Sequence, residues 1–254
     1  MTTFQALVLG IVQGLTEFLP VSSSGHLALL SNIPAWKSQP LVFDTTLHLA
    51  TALTLVVYFW SDLMILITSK SKLLFFILLG SIPAGVLGFL FESDFEERFR
   101  SVDSVTLFMF LGTLLMTYAQ KFGKEHMRID GVTAAKSIKI GFFQALALFP
   151  GVSRSGSTIS GAMLSGLGQM DAARFSFLMS IPIVVLAGVY KLISTDWVTV
   201  GVSINTLIIG FVSSFLIGLA VVHFLLNYLK SHGLNIFIYY RLALTLVLFA
   251  LTIY

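Results

Sequence analysis

The sequence contains no cysteine. This absence excludes disulfide bonds, thiol nucleophiles and zinc sites with cysteine ligands. Charged residues are also scarce: they make up 11% of the 254 residues, whereas apolar residues make up 56%. Because an ordinary soluble domain is roughly 25% charged, this composition indicates an integral membrane protein. The formal net charge is only +3, and the sequence has no basic stripe of the kind that binds nucleic acid.

Long apolar windows are the main feature that is present. The following windows reach the roughly 20 residues of helix that cross a ~30 Å hydrocarbon core: 41–60, 73–91, 104–120, 175–193, 204–229 and 235–254. The first apolar run, MTTFQALVLGIV, lacks the basic start and the small-residue cleavage site of a signal peptide. We therefore expect it to stay in the mature protein. The predicted fold class is an all-α polytopic membrane protein with about six full spans.

The charges outside these windows predict the orientation of the chain. The segment 121–139 carries five basic and two acidic residues, whereas 92–103 carries five acidic and two basic residues. Cytoplasmic loops carry the excess of Lys and Arg, so 121–139 is predicted to lie in the cytoplasm and 92–103 outside. The loop predicted at 61–72 then also lies inside, and the first 40 residues lie on the outer side.

The sequence repeats itself at an offset of 131 residues. GIVQGLTEFLPVSSSGH (10–26) aligns without a gap with GFFQALALFPGVSRSGS (141–157), and eight of the 17 positions are identical. Weaker matches follow at nearly the same offset: Phe43 with Phe175, Tyr58 with Tyr190, Gly80 with Gly210 and Gly88 with Gly218. The chain is therefore predicted to be one membrane domain, 1–254, with repeat one at 1–120, a cytoplasmic basic loop at 121–139 and repeat two at 140–254.

Each repeat opens with an apolar segment that is broken, in the first copy by Pro20 and in the second by Pro150 and Gly151. No piece on either side of a break is long enough to span the membrane. Paired breaks of this kind are typical of re-entrant hairpins that meet near the midplane. One such hairpin and three spans give each half an odd number of crossings. The second half is therefore predicted to be inverted relative to the first.

The two turns combine small residues with an arginine. A broken helix exposes backbone groups, which the membrane tolerates only inside protein or along a wet cavity. In SSSGH (22–26) and SRSGST (153–158) the small residues lead into a new helix, whose free N–H groups and positive dipole end favour an anion. Arg154 adds a guanidinium suited to bidentate contact with phosphate. The two turns together predict a phosphate cradle.

Glu17 is an acidic residue in an otherwise apolar segment. A charge near the bilayer centre costs about 2.5 kcal/mol or more, so it is expected to have a partner and a role. Gln13 lies four residues earlier on the same helix face. Glu17 could hold a divalent cation with Gln13 as a neutral oxygen ligand, or it could take a proton from a serine. His26 lies close enough to Ser22 and Ser23 to activate a nucleophile or to attack directly. These are the parts that phosphoryl transfer needs.

Other polar and aromatic residues are interpreted as structural. Asp44 is either a helix cap or a residue of the outer mouth. Arg174, beside Asp171, is interpreted as the start of a cytoplasmic helix. No ligand spacing is found for His48, His126, His223 and His232. Interfacial positions are predicted for Trp60, Tyr239 and Tyr240.

The blocks QGLTEFLPVSSSGH and PGVSRSGSTISG closely resemble those of the undecaprenyl-diphosphatase family, bacterial membrane enzymes of the bacitracin-resistance type. The resemblance covers the whole chain, since FDTTLHLAT (43–51) and FSFLMSIP (175–182) also match. It implies hydrolysis of undecaprenyl diphosphate to undecaprenyl phosphate and inorganic phosphate, which recycles the lipid carrier of cell-wall synthesis. It also implies a divalent cation, Mg²⁺ or Ca²⁺, and a bacterial inner-membrane location with the active site open to the outer face.

Carried over by motif, the resemblance makes Glu17, Ser23, His26 and Arg154 catalytic, with Ser23 favoured over His26 as the nucleophile. Gln13 and Glu17 occupy the two acidic positions and are the implied metal ligands. Many relatives have Glu at position 13, so Gln13 removes one negative charge there. The implied diphosphate-binding residues are Ser22, Ser24, Gly25, Ser153, Arg154, Ser155, Gly156 and Thr158. The expected partners are a polyprenyl diphosphate lipid and membrane lipids, without nucleic acid, and a homodimer is compatible with the sequence.

Two other functions compete with this interpretation. A membrane transporter or flippase for a polyprenyl phosphate lipid is the main alternative, because inverted repeats with broken helices are also a transporter architecture. Phosphate release in detergent, where no gradient exists, would distinguish the phosphatase from the transporter. A purely structural membrane subunit would leave Glu17, His26 and Arg154 without a role.

Overall fold

The structure, a computed structural model, describes residues 1–31, 36, 40–123, 126–194 and 202–253. These residues form α-helices joined by turns, and the one β-bridge among them pairs Met127 with Leu167. Short 3₁₀ helices lie at Ile129–Gly131 and Leu146–Leu148. The α-helices of the described chain are α1 (Thr3–Thr16), α2 (Ser23–Ser31), α3 (Leu41–Tyr58), α4 (Trp60–Thr68), α5 (Lys72–Phe99), α6 (Val102–Phe122), α7 (Ala134–Ala145), α8 (Arg154–Met163), α9 (Gln169–Ser194), α10 (Ile204–Tyr228) and α11 (Asn235–Ile253).

Five of the described helices are long and apolar enough to cross a membrane, namely α5, α6, α9, α10 and α11. The helices α3 and α4 pass the same test as a pair bent by 63°, which gives up to six spans. The predicted windows from residue 73 onward each coincide with one of these helices. The prediction of an all-α polytopic membrane protein is therefore confirmed.

Two segments predicted to be loops are mostly helical. The helix α3 ends at Tyr58, the chain bends at Phe59, and α4 then occupies most of the loop expected at 61–72. Asp62 interrupts the apolar run there without ending the helical pattern. The prediction of a loop for the acidic segment 92–103 is wrong as well, because α5 continues to Phe99. Glu and Arg are good helix formers, so a fall in hydropathy does not mark the end of a helix.

Each predicted hairpin is a pair of short helices. The helices α1 and α2 have 14 and nine residues, and α7 and α8 have 12 and ten. At 1.5 Å per residue the longest measures about 21 Å, less than the ~30 Å apolar layer. We call residues 17–22 turn one and residues 149–153 turn two. The breaks at Pro20 and at Pro150 and Gly151 lie within these turns, as expected.

The two turns share an unusual backbone conformation. Ser22 has a φ of 73° and Ser153 a φ of 74°, in the left-handed region that few residues other than glycine adopt. The Oγ of Ser22 accepts a hydrogen bond from the Gly25 N–H, and the Oγ of Ser153 accepts one from the Gly156 N–H, both at 3.2 Å. The same local structure therefore recurs at the offset of the sequence repeat.

The first helix of each hairpin packs closely on a long helix. A Cβ atom on Gly10 of α1 would lie 2.6 Å from the carbonyl oxygen of Gly210 in α10. A Cβ atom on Gly141 of α7 would lie 2.2 Å from the carbonyl oxygen of Gly80 in α5. Both distances are shorter than any van der Waals contact, so small residues are needed for the helices to approach, as is common in membranes.

The two turns meet beside α6. Gly151 of turn two lies against the backbone of Val105 and Met109 in α6. Phe18 of turn one is fully buried and meets Phe177 of α9 edge-on, with 5.8 Å between the ring centroids. Turn one is thus packed against α9 and turn two against α6.

Two glycines of α5 provide a matched test of this packing. In Gly80→Ala the new Cβ would lie 2.4 Å from Oγ of Ser137 and 2.6 Å from Sδ of Met179, whereas at Gly85 nothing lies within 4 Å. Overpacking costs about 1–3 kcal/mol, so we expect Gly80→Ala to lower the melting temperature of the purified protein in detergent. Gly85→Ala should not lower it, and equal melting temperatures for the two variants would contradict the packing of α5 on α7 and α9.

Candidate active site

Turn one places Glu17 at the end of α1. The spacing of four residues puts Gln13 on the same face of the helix, and the Gln13 Nε2 donates a hydrogen bond to Oε2 of Glu17 at 3.0 Å. After the left-handed Ser22 the chain enters α2, whose first residue is Ser23. The Ser23 Oγ donates to the same Oε2 of Glu17 at 3.3 Å. The predicted nucleophile and the predicted base are therefore in contact.

Turn two brings Arg154 to the same carboxylate. Arg154 is the first residue of α8, and Ser153 caps that helix. The Arg154 Nη2 donates to Oε1 of Glu17 at 2.8 Å, which joins residues 137 positions apart in the chain. The carboxylate thus receives hydrogen bonds from Gln13, Ser23 and Arg154. The side chains of Arg154 and Glu17 are 19% and 10% exposed, so the pair is largely removed from water.

Backbone and serine groups also tie the turns directly to each other. The Gly151 N–H donates to Oγ of Ser24 at 2.8 Å, and the Ser155 Oγ donates to the carbonyl oxygen of Leu19 at 3.1 Å. Two of the four groups lie on each turn or on the helix that follows it. The relative position of the two turns is therefore fixed by hydrogen bonds in addition to the ion pair.

The predicted diphosphate-binding residues differ in their accessibility. Ser24, Ser153 and Arg154 are half-buried, and with Glu17 and Ser23 they form the accessible part of the site. The hydroxyl of Thr158 is fully buried and donates to the carbonyl oxygen of Arg154 at 2.7 Å, so it supports the start of α8. The other predicted residues are buried within the turns and helix starts: Ser22, Gly25, Ser155 and Gly156.

His26 contacts groups other than the Glu17 carboxylate. Its Nδ1 is 2.7 Å from the carbonyl oxygen of Ser22, and its Nε2 is 2.7 Å from the hydroxyl of Tyr240 in α11. A carbonyl oxygen only accepts hydrogen bonds, so Nδ1 carries the hydrogen, and Nε2 of the neutral ring accepts from Tyr240. The interpretation of Tyr240 as an interfacial residue therefore misses its hydrogen bond to His26.

His48 is a second residue that sequence reasoning missed. Its Nδ1 lies 3.3 Å from the Gln13 Nε2, and its Nε2 lies 3.9 Å from Oδ2 of Asp44. The helix cap of α3 is Pro40, so Asp44 is not the cap. The spacing of four residues between Asp44 and His48 was the available signal, since it puts both on one helix face. These two residues extend the polar site toward the N-terminal end of α3.

Arg174 has a structural partner away from this site. Arg174 lies in the second turn of α9, and its Nη2 is 2.6 Å from Oδ1 of Asp62 in α4. It therefore joins two helices and is not only a residue at the start of a helix. Both side chains are about one third exposed. The pair provides a control position for experiments on Arg154.

The oxygen atoms of the site fit a divalent cation with few protein ligands. Oε1 of Gln13 is buried and has no hydrogen-bond partner among the described residues. It belongs to the amide whose nitrogen contacts Glu17, so one neutral oxygen and one carboxylate lie on neighbouring side chains. Within the described ranges no cluster of three or more His, Asp and Glu residues could hold a metal. Such a donor set suits Mg²⁺, which usually keeps waters and substrate oxygens in its coordination shell.

Comparison with known proteins identifies the family of this chain. The family model described as "Bacitracin resistance protein BacA" matches residues 6–247. A protein of Caldicellulosiruptor bescii named undecaprenyl-diphosphatase is 41% identical, with 98% of this chain and 97% of that protein aligned. Proteins of the same name from Geotalea daltonii and Thermodesulfovibrio yellowstonii are each 40% identical over 96% or more of both chains. The chain therefore belongs to the BacA family of bacitracin resistance proteins.

Proposed function

We propose that this protein hydrolyses undecaprenyl diphosphate to undecaprenyl phosphate and inorganic phosphate. The observation that carries the proposal is the contact of Arg154 and Ser23 with the same carboxylate, that of Glu17. It joins an anion-binding guanidinium, a hydroxyl nucleophile and a base within one hydrogen-bonded group of half-buried side chains. The names of the relatives support the choice of a polyprenyl diphosphate as the substrate.

The N-terminal ends of α2 and α8 are proposed to bind the diphosphate. The Arg154 Nη1 is buried and has no partner among the described residues, so it can donate to a phosphate oxygen while Nη2 stays on Glu17. The first N–H groups of α2 and α8 lie at the ends of turns one and two, where the helix dipoles favour an anion. The prenyl tail then extends among the apolar helices.

Glu17 and the Gln13 Oε1 are the proposed protein ligands of a divalent cation, Mg²⁺ or Ca²⁺. When bound there, such an ion would offset the negative charge of the phosphate oxygens. Gln13 also holds Glu17 through its Nε2. Its amide therefore orients the carboxylate and presents a neutral oxygen at the same time.

The Ser23 hydroxyl is the proposed nucleophile. It already donates its hydrogen to Glu17, so the carboxylate can take this proton as Oγ bonds to the terminal phosphorus. The bond from that phosphorus to the bridging oxygen breaks, and undecaprenyl phosphate leaves. Water then hydrolyses the phosphoserine to release inorganic phosphate. His26 is the weaker candidate, because both of its ring nitrogens are engaged by Ser22 and Tyr240.

The proposed location is the bacterial inner membrane, with two inverted repeats and a site open to the outer face. The equivalent conformations of turns one and two support the repeat. The polar residues Asp44 and His48 lead from Glu17 toward the beginning of α3. The positive-inside rule puts that end of α3 outside, which supports an outward-facing site.

The pair of Arg154 and Glu17 is expected to be essential. Losing a donor that stabilises developing charge costs about 10²–10³ in kcat, and losing a general base costs about 10²–10⁴. Arg154→Ala and Glu17→Gln should therefore each lower the rate of phosphate release by at least about 10². Arg174→Ala is the matched control and should stay within about twofold of the original rate, because Arg174 pairs with Asp62 of α4 and, within the described residues, contacts none of those proposed for the site. The assay uses purified, folded protein in detergent with farnesyl or undecaprenyl diphosphate. Normal turnover by Arg154→Ala would refute the proposed site.

The nucleophile can be identified by trapping the covalent intermediate. We expect acid quenching during turnover to leave a phosphate on Ser23, detectable by peptide mass spectrometry and absent from Ser23→Ala. His26→Ala should turn over slowly but still form the phosphoserine. A phosphohistidine at position 26 in the original protein would assign the attack to His26 instead.

The proposed cation site can be tested by removing the cation and by changing the charge of residue 13, which is Gln in this chain. A chelator should abolish activity, and Mg²⁺ should restore it. Ligand charge sets cation affinity, so Gln13→Glu should lower the half-saturating Mg²⁺ concentration by about tenfold, and Gln13→Leu should raise it by a similar factor. A titration of phosphate release against Mg²⁺ measures this. Identical half-saturation in all three proteins would remove position 13 from the cation site.

A further inference from the structure

Two adjacent residues of α11 contact the two hairpins, and the proposed reaction does not use either of them. Tyr240 contacts His26, which lies on α2 of the first hairpin, and Arg241 contacts Gly151 in turn two. In a helix, adjacent side chains point in directions about 100° apart. The pair can therefore hold one partner on each side of α11.

The contact of Tyr240 with His26 has two components. The hydroxyl lies 2.7 Å from the ring Nε2, and the two rings are nearly parallel at 8°, with 5.6 Å between their centroids. The Ser22 carbonyl oxygen holds the opposite nitrogen. Since Ser22 adjoins Ser23, the ring links α11 to the residue that precedes the nucleophile. The hydrogen bonds on both nitrogens specify one orientation and one tautomer of the imidazole.

Arg241 is a fully buried cation without a carboxylate partner in the described part of the chain. Its Nε donates to Oγ1 of Thr113 at 2.8 Å, and its Nη2 donates to the carbonyl oxygens of Met109 and Gly151 at 2.9 and 3.1 Å. A buried charge in a membrane segment is costly and is usually kept for a function. Here the guanidinium donates to a carbonyl oxygen inside α6, which also accepts from the Thr113 hydroxyl, and to the carbonyl oxygen of Gly151 in turn two.

Arg241 is connected to the active site through its hydrogen bond to Gly151. This glycine has a φ of 107°, and its N–H donates to Oγ of Ser24, while its carbonyl oxygen accepts from Arg241. Gly151 of turn two therefore connects the guanidinium to Ser24 in α2 of the first hairpin. Ser153 and Arg154 follow two and three residues later, so the position of Gly151 sets where Arg154 begins α8.

We infer that Tyr240 and Arg241 are positioning residues of the phosphatase site. Tyr240 holds the imidazole of His26 as the Nδ1–H tautomer, and Arg241 holds turn two, with Arg154, at its distance from Ser24. This inference rests on the proposed function for its kinetic consequences only. The tautomer of His26 and the stability of turn two are properties of the protein without substrate.

Tyr240→Phe removes the hydroxyl and keeps the stacked ring, and Tyr239→Phe is the matched control, since Tyr239 is the adjacent tyrosine and is 70% exposed. In protein labelled with ¹⁵N-histidine, we expect the His26 ring signals, assigned with His26→Asn, to show the Nδ1–H tautomer. The Nε2 signal should shift in Tyr240→Phe and stay in place in Tyr239→Phe. An unchanged Nε2 signal in Tyr240→Phe would overturn the role of Tyr240, whether or not the protein is a phosphatase.

Kinetics test the consequence for the reaction. We expect Tyr240→Phe to lower kcat about tenfold with KM within twofold, the size expected for losing one hydrogen bond. In the His26→Asn background the same change should have no further effect, because its only path to the site is removed. An equal loss in both backgrounds, or an equal loss in Tyr239→Phe, would show that Tyr240 only packs.

Arg241→Lys tests the second contact, because it keeps the charge but loses the planar fork. It should raise KM for farnesyl diphosphate by about tenfold, since Arg154 binds the diphosphate. Thr113→Val keeps the guanidinium but removes the acceptor of Nε, together with the hydroxyl that donates to the carbonyl oxygen of Met109. It should raise KM about threefold, and it serves as the test if Arg241→Lys does not fold. An unchanged KM in folded Thr113→Val and Arg241→Lys would overturn the role of Arg241.

Discussion

The hydrogen-bonded ion pair of Glu17 and Arg154 is the interaction on which the arrangement of this protein depends. Each charge alone would be expensive in a membrane interior, and removing one partner leaves the other uncompensated. The pair lies at the ends of two hairpins from opposite halves of the chain, 137 residues apart. The hairpins must therefore meet for either charge to be tolerated, and the meeting of the hairpins assembles the candidate active site.

The strained serines explain how the turns deliver these side chains. Ser22 and Ser153 occupy the left-handed region, which costs a residue with a side chain on the order of 1–3 kcal/mol. In return, each hydroxyl reaches the N–H three residues later and satisfies part of a helix start. The bond from the Gly151 N–H to Ser24 and the bond from Ser155 to the Leu19 carbonyl hold both turns in this conformation. The strained backbone of the two serines and the hydrogen bonds between the hairpins occur together, because a site for a charged substrate must be rigid before the substrate arrives.

The parts of the site that could be predicted from the sequence are those that depend on residues close together in the chain or on the internal repeat. The positions of Gln13, Glu17, Ser23 and Arg154 follow from helix spacing, from two proline breaks and from a repeat that can be read by alignment. Tyr240 and His48 were missed, because their contacts with His26 and Gln13 join residues 214 and 35 positions apart. The sequence around Tyr240 does not indicate its partner, and the spacing of Asp44 and His48 indicates only that these two residues share a helix face. A tyrosine in an apolar helix resembles an interfacial residue until its neighbour is known. The extension of α5 to Phe99 was missed for a different reason: hydropathy reports where the membrane ends and not where the helix ends.

The comparison of the two hairpins shows how one scaffold can carry two chemistries. At the offset of 131 residues, Ser23 corresponds to Arg154, Glu17 to Leu148 and His48 to Met179. The first residue of a helix after a left-handed serine therefore carries the proposed nucleophile in one half and the proposed anion-binding group in the other. Gln13 and Gln144 are identical and both buried, yet Gln13 contacts Glu17 and His48, whereas the amide of Gln144 has no partner among the described residues. The functional difference thus comes from the side chains around a shared backbone geometry. An acidic residue at position 148 would lack a cationic partner in the two hairpin turns, because Arg154, at the start of α8, already pairs with Glu17. Leu148 is therefore the residue expected in the half that supplies the arginine.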